Sequence, residues 1–233
     1  MRRSRFAVSI LVPALWAAPW GAFAAGGNQM PDRSSGTASR LSDTISPQEQ
    51  ARAHYNVGVR SVEKADGLEA DAARQADAKK QAKLRDKARA GYSAALKKFT
   101  RVTELQPRMF EAWNYVGYTN RKLGNYDLAL AAYEKALSIN PNYAEAIEYR
   151  GHAYLGLNRL GEAKEAYMTL FSGNRVLAAK LLSAMQEYIG THRGAAGVDS
   201  AALDAFAAWV SERSTIASQT ANLTRAGAAS AWN

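Results

Sequence analysis

An all-α fold of paired helices is predicted by three observations. Alanine and other strong helix formers are plentiful, and β-branched residues are sparse. No run of alternating apolar and polar residues makes a convincing strand. A pattern of small and large residues also recurs along the chain: Gly117 returns as Gly151, Ala129 as Ala163 and Tyr133 as Tyr167. The 233 residues suffice for one domain or two small ones. With 47% hydrophobic and 22% charged residues, the composition is that of an ordinary globular chain.

The first segment stands apart from the fold. Residues 1–24 begin with Arg2, Arg3 and Arg5, continue through an apolar run near Phe6 to Trp20, and end in Ala22-Phe23-Ala24. This is the pattern of a secretory signal peptide. An uncleaved anchor is the competing reading, but Pro13 interrupts the run, which is shorter than the roughly 20 residues of a membrane span. Cleavage removes three arginines and lowers the formal charge from +9 to +6. The chain has no cysteine, hence no disulfide and no thiol for a lipid anchor. The expected product is a soluble exported protein, periplasmic or secreted, in a bacterial cell envelope.

Residues 25–45, rich in Gly, Ser, Thr and Asp, read as a disordered linker. Order is expected to begin at Ser46, with Pro47 at the first helical position and Glu49 reaching back to form a capping box. Breaks are expected near Gly67, Pro107, Gly124-Asn125, Asn140-Pro141, Asn158, Ser172-Gly173 and residues 190–198.

The stretch 110–143 is the most informative. Trp113, Val116, Gly117 and Asn120 share one face of a helix from about Phe110 to Leu123. Gly124-Asn125 is the turn. Ala129, Tyr133 and Ala136 share a face of the next helix, which Asn140-Pro141 ends. A helix-interior glycine costs roughly 1 kcal/mol against alanine. Here it allows close helix contact, as small residues (Gly117, Ala129, Ala136) alternate with large ones (Trp113, Tyr133) and a big ring fills the space opposite a missing side chain. Residues 144–172 repeat the pattern, with Asn142 and Glu145 expected as a capping box. Further back, Ala95, Phe99 and Pro107 match Ala129, Tyr133 and Pro141, while Val57 and Gly58 fit a first helix near 47–65. That earlier copy, about 47–107, carries an insertion near 64–90. Both of its helices are expected to be elongated, the second from about Leu68 to Gln106, in a hairpin that projects from the stack.

These residues resemble the tetratricopeptide repeat, a helix-turn-helix unit of 34 residues. Trp113, Val116, Gly117, Ala129, Tyr133, Ala136 and Pro141 match its signature types. Asn120 departs from the usual tyrosine. The resemblance implies an all-α tetratricopeptide-type solenoid over residues 46–172, with an elongated first hairpin. Residues 173–217 follow as a helical cap, with Asp199 as a cap residue, and residues 218–233 as a flexible tail.

No catalytic residue, metal ligand or cofactor motif is found. His54, His152 and His192 lack ligand spacing. Glu145 and Glu148, three apart on a helix, read as solvated carboxylates. The family resemblance instead implies a groove for a peptide or partner helix, faced by Arg52, Tyr55 and Val59, by Glu111, Asn114, Tyr118 and Arg121, and by Glu145, Glu148 and His152. The two acids would repel a C-terminal carboxylate. Alternatively, the groove is filled by the chain's own 174–190 helix or its linker. The expected role is a non-catalytic adaptor or assembly factor with a protein or peptide partner. A second reading rests on the basic patch Lys79, Lys80, Lys83, Arg85, Lys87 and Arg89, which suits an anionic polymer or membrane surface. Nucleic acid is not expected as a partner, because no aromatic residue interleaves the patch. An enzyme with a site invisible to motifs would show a deep pocket of convergent polar groups.

Overall fold

The computed structural model describes residues 46–195 and 198–230, with side chains described through residue 220. The expected signal peptide and linker, residues 1–24 and 25–45, lie outside the described residues. Among the described residues there are eight helices and no strand.

Helix α1 (Pro47–Arg74) opens on the expected capping box. The Ser46 hydroxyl accepts from the Glu49 amide at 3.2 Å, and Glu49 accepts from the Ser46 amide at 3.0 Å. Helix α2 (Ala78–Leu105) returns antiparallel to it. The two helices are 28 residues each, so the insertion is shared equally between them. This corrects the expected break near Gly67 and the expected start of the second helix at Leu68. The turn lies at residues 75–77 instead, where Asp77 accepts from the Lys80 amide and caps α2. One exposed glycine among good helix formers costs too little to end α1.

Four shorter helices follow: α3 (Phe110–Lys122), α4 (Tyr126–Ile139), α5 (Ala144–Gly156) and α6 (Leu160–Gly173). Their backbone hydrogen bonds recur in register. The amides of Gln106, Asn140 and Asn174 bond the carbonyls of Val102, Ala136 and Leu170, each closing one hairpin. The amides of Asn125 and Arg159 reach the carbonyls of Asn120 and Tyr154 across the tight turns inside the hairpins. At these turns Gly124 (φ 84°) and Asn158 (φ 57°) occupy equivalent left-handed positions. Glycine and asparagine are the residues that tolerate them.

The glycine at the heart of the motif behaves as its sequence suggests. A Cβ on Gly117 would stand 2.6 Å from Cδ1 of Tyr133, a side chain with no exposed surface. In the first hairpin Gly58 meets the Phe99 ring in the same way, at 2.7 Å. In the third hairpin the partner changes: Gly151 is covered by Leu181 of α7 (Arg175–His192), at 2.6 Å. Thus α7 stacks beside α5 as the next first helix. Trp113 donates from Nε1 to the Pro107 carbonyl at 2.9 Å and ties the link between hairpins. The Asn120 position is polar and satisfied: Nδ2 donates to the Val116 carbonyl, and Oδ1 accepts from Asn125.

Two caps differ from expectation. Asn142 does not cap α5; its N-cap is Tyr143, with no side-chain bond. The backbone bond from the Tyr143 amide to the Asn140 carbonyl already turns the chain there. Asp199 does cap α8 (Ser200–Ser230), accepting from the amides of Ala201 and Ala202. That helix continues to Ser230, where a flexible tail from 218 was expected. No proline interrupts this alanine-rich end. Among the described residues no helix is long and apolar enough to cross a membrane.

Candidate functional site

The first helices of successive hairpins, α1, α3, α5 and α7, form one continuous face, and its composition is dominated by tyrosine. Tyr55 of α1 packs edge-on to Tyr115 of α3, with centroids 5.7 Å apart. Tyr118 of α3 meets Tyr149 of α5 at 5.1 Å. The Arg121 guanidinium lies 5.1 Å from the Tyr118 centroid and 5.5 Å from that of Tyr149. Burial pushes the phenols of Tyr55, Tyr115, Tyr118 and Tyr149 above their ordinary range. They therefore act as neutral walls and hydrogen-bond donors.

Polar chemistry on this face centres on Asp66, in the extended part of α1. Its carboxylate accepts from Tyr92 of α2 at 2.5 Å and from Tyr118 of α3 at 2.8 and 2.9 Å. Lys122 Nζ lies 3.7 Å from it and 5.1 Å from the Tyr92 ring. Burial holds the Lys122 ammonium below its ordinary range, against the pull of Asp66. One carboxylate thus ties three helices together.

The expected groove residues divide into two groups. Asn114, Tyr118 and Glu148 are interior, with exposures of 3%, 8% and 6%. This corrects the expectation that they offer open contacts. Tyr118 faces Tyr149 of the neighbouring first helix, with ring centroids 5.1 Å apart. Glu148 instead bonds His152 within α5, at 3.1 Å. Asn114 Oδ1 and Arg121 Nε are buried without a hydrogen-bond partner among the described residues. The second group remains at the rim. Arg52 is exposed, and Tyr55, Val59, Glu111, Glu145 and His152 are half-buried. Tyr55, Glu111, Tyr115, Tyr143 and Glu145 influence one another electrostatically, so they gather at one end of the face. The 174–190 segment does not fill the face, because α7 extends the row instead. The basic patch is wholly exposed on α2.

Sequence reasoning missed Asp66, Lys122, Tyr115, Tyr143 and Tyr149. The tyrosines carried a usable signal, since Tyr115 and Tyr149 are equivalent positions in successive repeats.

His152 supplies a pH prediction. Burial lowers its pKa; Arg121 also disfavours the charged ring, while Glu148 and Glu187 favour it. The unfolded imidazole protonates near about 6.5, the folded one lower. Stability from this site is therefore full above about pH 6.5 and declines as the pH falls through the interval between the two values. Melting curves from neutral to mildly acid pH should show this decline, and His152→Asn should flatten it.

Two family models described as tetratricopeptide repeat match the chain, at residues 110–143 and 132–165. The chain carries tetratricopeptide repeats. The matches cover α3 to the start of α6, so the tetratricopeptide hairpins are those in which Gly117 and Gly151 lie. No curated protein matches the sequence. Similar solved structures include the first TPR of Spaghetti (RPAP3) bound to the HSP90 peptide SRMEEVD, at 22% identity and a TM-score of 0.38, covering 54% of this chain and 94% of that one. MamA from Desulfovibrio magneticus RS-1 is 22% identical with a TM-score of 0.38, covering 70% and 94%. An O-GlcNAc transferase mutant of Thermobaculum terrenum is 18% identical with a TM-score of 0.34, covering 66% of this chain and 27% of that one. Tetratricopeptide repeats support protein–protein interaction as the general role of the chain.

Proposed function

We propose that this chain is a non-catalytic adaptor or assembly factor, exported to the bacterial cell envelope, that holds a protein or peptide segment against its tyrosine-lined first-helix face. The observation carrying this reading is the composition of the rim at the α1–α3–α5 end. Tyr55, Tyr115 and Tyr143 offer large apolar surfaces with hydroxyl donors, and Glu111 and Glu145 flank them. Aromatic area at low conformational cost is what recognition surfaces use as anchors. The two acids add a preference for a segment with basic side chains or free donors, and they disfavour a C-terminal carboxylate.

Export rests on the signal-peptide pattern of residues 1–24. Absence of cysteine agrees with a soluble product there.

The test changes the rim and leaves the interior alone. Asn114 and Tyr118 are unsuitable targets, because their burial confounds binding with folding. Glu111→Lys with Glu145→Lys keeps both positions polar. Crosslinking of the tagged chain in its native envelope, read by mass spectrometry, should recover one dominant protein with the parent chain. The rim variant should recover at least roughly tenfold less, as expected for reversing two charges beside aromatic anchors. Equal recovery by the two, with unchanged circular dichroism, would reject the face as the binding site.

A further inference from the structure

The basic patch of α2 is longer and more ordered than its sequence suggests. At 3.6 residues per turn, Lys79, Lys83, Lys87, Lys97 and Arg101 form a single row along the helix, with Ala90 and Ala94 filling the gaps. Lys80 and Lys98 flank the row on one side. All of these basic residues are exposed except Lys98, which is half-buried. The row spans about 33 Å at 1.5 Å per residue. The buried residues of α2, Ala88, Tyr92, Ala95, Phe99, Val102 and Thr103, lie on the other side of the helix, towards α1 and α3. The row therefore points away from the hairpin and away from the tyrosine-lined face.

Two features set this row apart from an ordinary solvated helix. Acids stand only at its margin: Asp86, and Glu104, which pairs with Arg101 at 2.8 Å. The equivalent outer surfaces of α4 and α6 carry the opposite balance, with Asp127, Glu134 and Glu165 exposed against Lys135. The outer surface of α1 is mixed, with Arg60, Lys64 and Arg74 among Glu63 and Asp71. The row on α2 is thus a straight run of exposed basic side chains with few acids beside it.

We propose that this edge adsorbs to an anionic lipid bilayer, the row of α2 lying flat on the headgroups. A bilayer presents a flat, laterally mobile field of negative charge, which a straight convex row of long cationic side chains can match. Between the cations the row offers only Ala90 and Ala94, so contact is electrostatic and no apolar side chain enters the membrane. No aromatic residue lies on the row, which removes the stacking that single-stranded nucleic acid uses. Adsorption through α2 leaves the first-helix face free for a protein partner, so this contact stands independently of the adaptor reading.

The helix itself supplies the control. Arg85 and Arg89 belong to the same charge run but lie off the row, Arg85 on the side of α2 that carries Tyr92 further along and Arg89 beside it, both exposed. Lys83→Glu with Lys97→Glu and Arg85→Glu with Arg89→Glu therefore change the net charge equally, at exposed positions whose fold circular dichroism can verify. The full chain and both double variants are sedimented with vesicles of phosphatidylcholine alone and of phosphatidylcholine with phosphatidylglycerol. All three share residues 1–24, including Arg2, Arg3 and Arg5, so the difference between the row and flank variants does not depend on that segment. The expected result is phosphatidylglycerol-dependent binding that added salt weakens. The row variant should lose it roughly tenfold or more, and the flank variant should largely keep it. Equal loss in the two variants would overturn the proposal, since net charge alone would then account for binding. So would binding indifferent to phosphatidylglycerol, or tighter binding to duplex DNA than to the anionic vesicles at the same salt.

Discussion

Gly117→Leu is expected to lose about 3 kcal/mol of stability, near the upper end of the usual cost of overpacking. Even the first added carbon meets the Tyr133 ring at 2.6 Å, and that ring has no exposed surface into which to retreat. Tyr133 is held by α3, α4 and the neighbouring Tyr149, whose ring centroid is 6.3 Å away. Relief therefore requires the two helices of the hairpin to separate. For a chain of this size the melting temperature should fall by roughly 6–12 °C. Gly67→Ala is the matched control, also a helix glycine, but with nothing among the described residues within 4 Å of the added carbon. It should gain roughly 0.5–1 kcal/mol through helix propensity. Similar melting of Gly117→Leu and the parent chain would show that Gly117 is not a packing contact.

Asp66→Ala is expected to cost roughly 2–4 kcal/mol, because two buried phenols lose their acceptor at once. Tyr92 is fully buried and Tyr118 nearly so, and among the described residues neither hydroxyl has another partner of comparable geometry. Lys122 would lose its nearest carboxylate in the same step. Tyr118→Phe alone should cost less, since Asp66 keeps Tyr92. The double variant Asp66→Ala/Tyr118→Phe should be less destabilised than the sum of the singles, because the second change removes a donor that the first had stranded. Strictly additive losses in urea melts would show that the three helices are not joined through this carboxylate.

The hairpins were legible because the cues that make them are local. A glycine opposite a large ring, a turn of Gly124-Asn125 and a stop at Asn140-Pro141 fall within one repeat, and the same types recur in the next. The turn of the long hairpin was not legible. Gly67 looked like the break, yet its cost is small and the cap that decides the matter is Asp77. The candidate site was legible only in part. Resemblance pointed to the first-helix face, and Tyr55, Glu111 and Glu145 stand half-buried there. It could not show that Asn114, Tyr118 and Glu148 are buried, since burial depends on contacts between elements distant in sequence, such as those of Tyr118 with Tyr149 and Asp66. Asp66 was out of reach for the same reason. Its partners lie 26 and 52 residues away, and nothing in the alanine-rich insertion marks it as different from its solvated neighbours.

The hairpin turn at 75–77 also bears on how the chain closes its longest contacts. Joining Asp66 directly to Tyr118 would mean closing a loop of 52 residues from an open chain. The α1–α2 hairpin divides that span. Zipping from residues 75–77 brings Tyr92 to Asp66 through neighbouring pairs, and Tyr118 then needs only the following hairpin link to reach the same carboxylate. Loop entropy grows with the logarithm of the span, and it is spread here over short steps. The insertion that lengthens the first hairpin thus leaves the contact order low, as in the rest of the stack, and the topology is one of fast, local assembly.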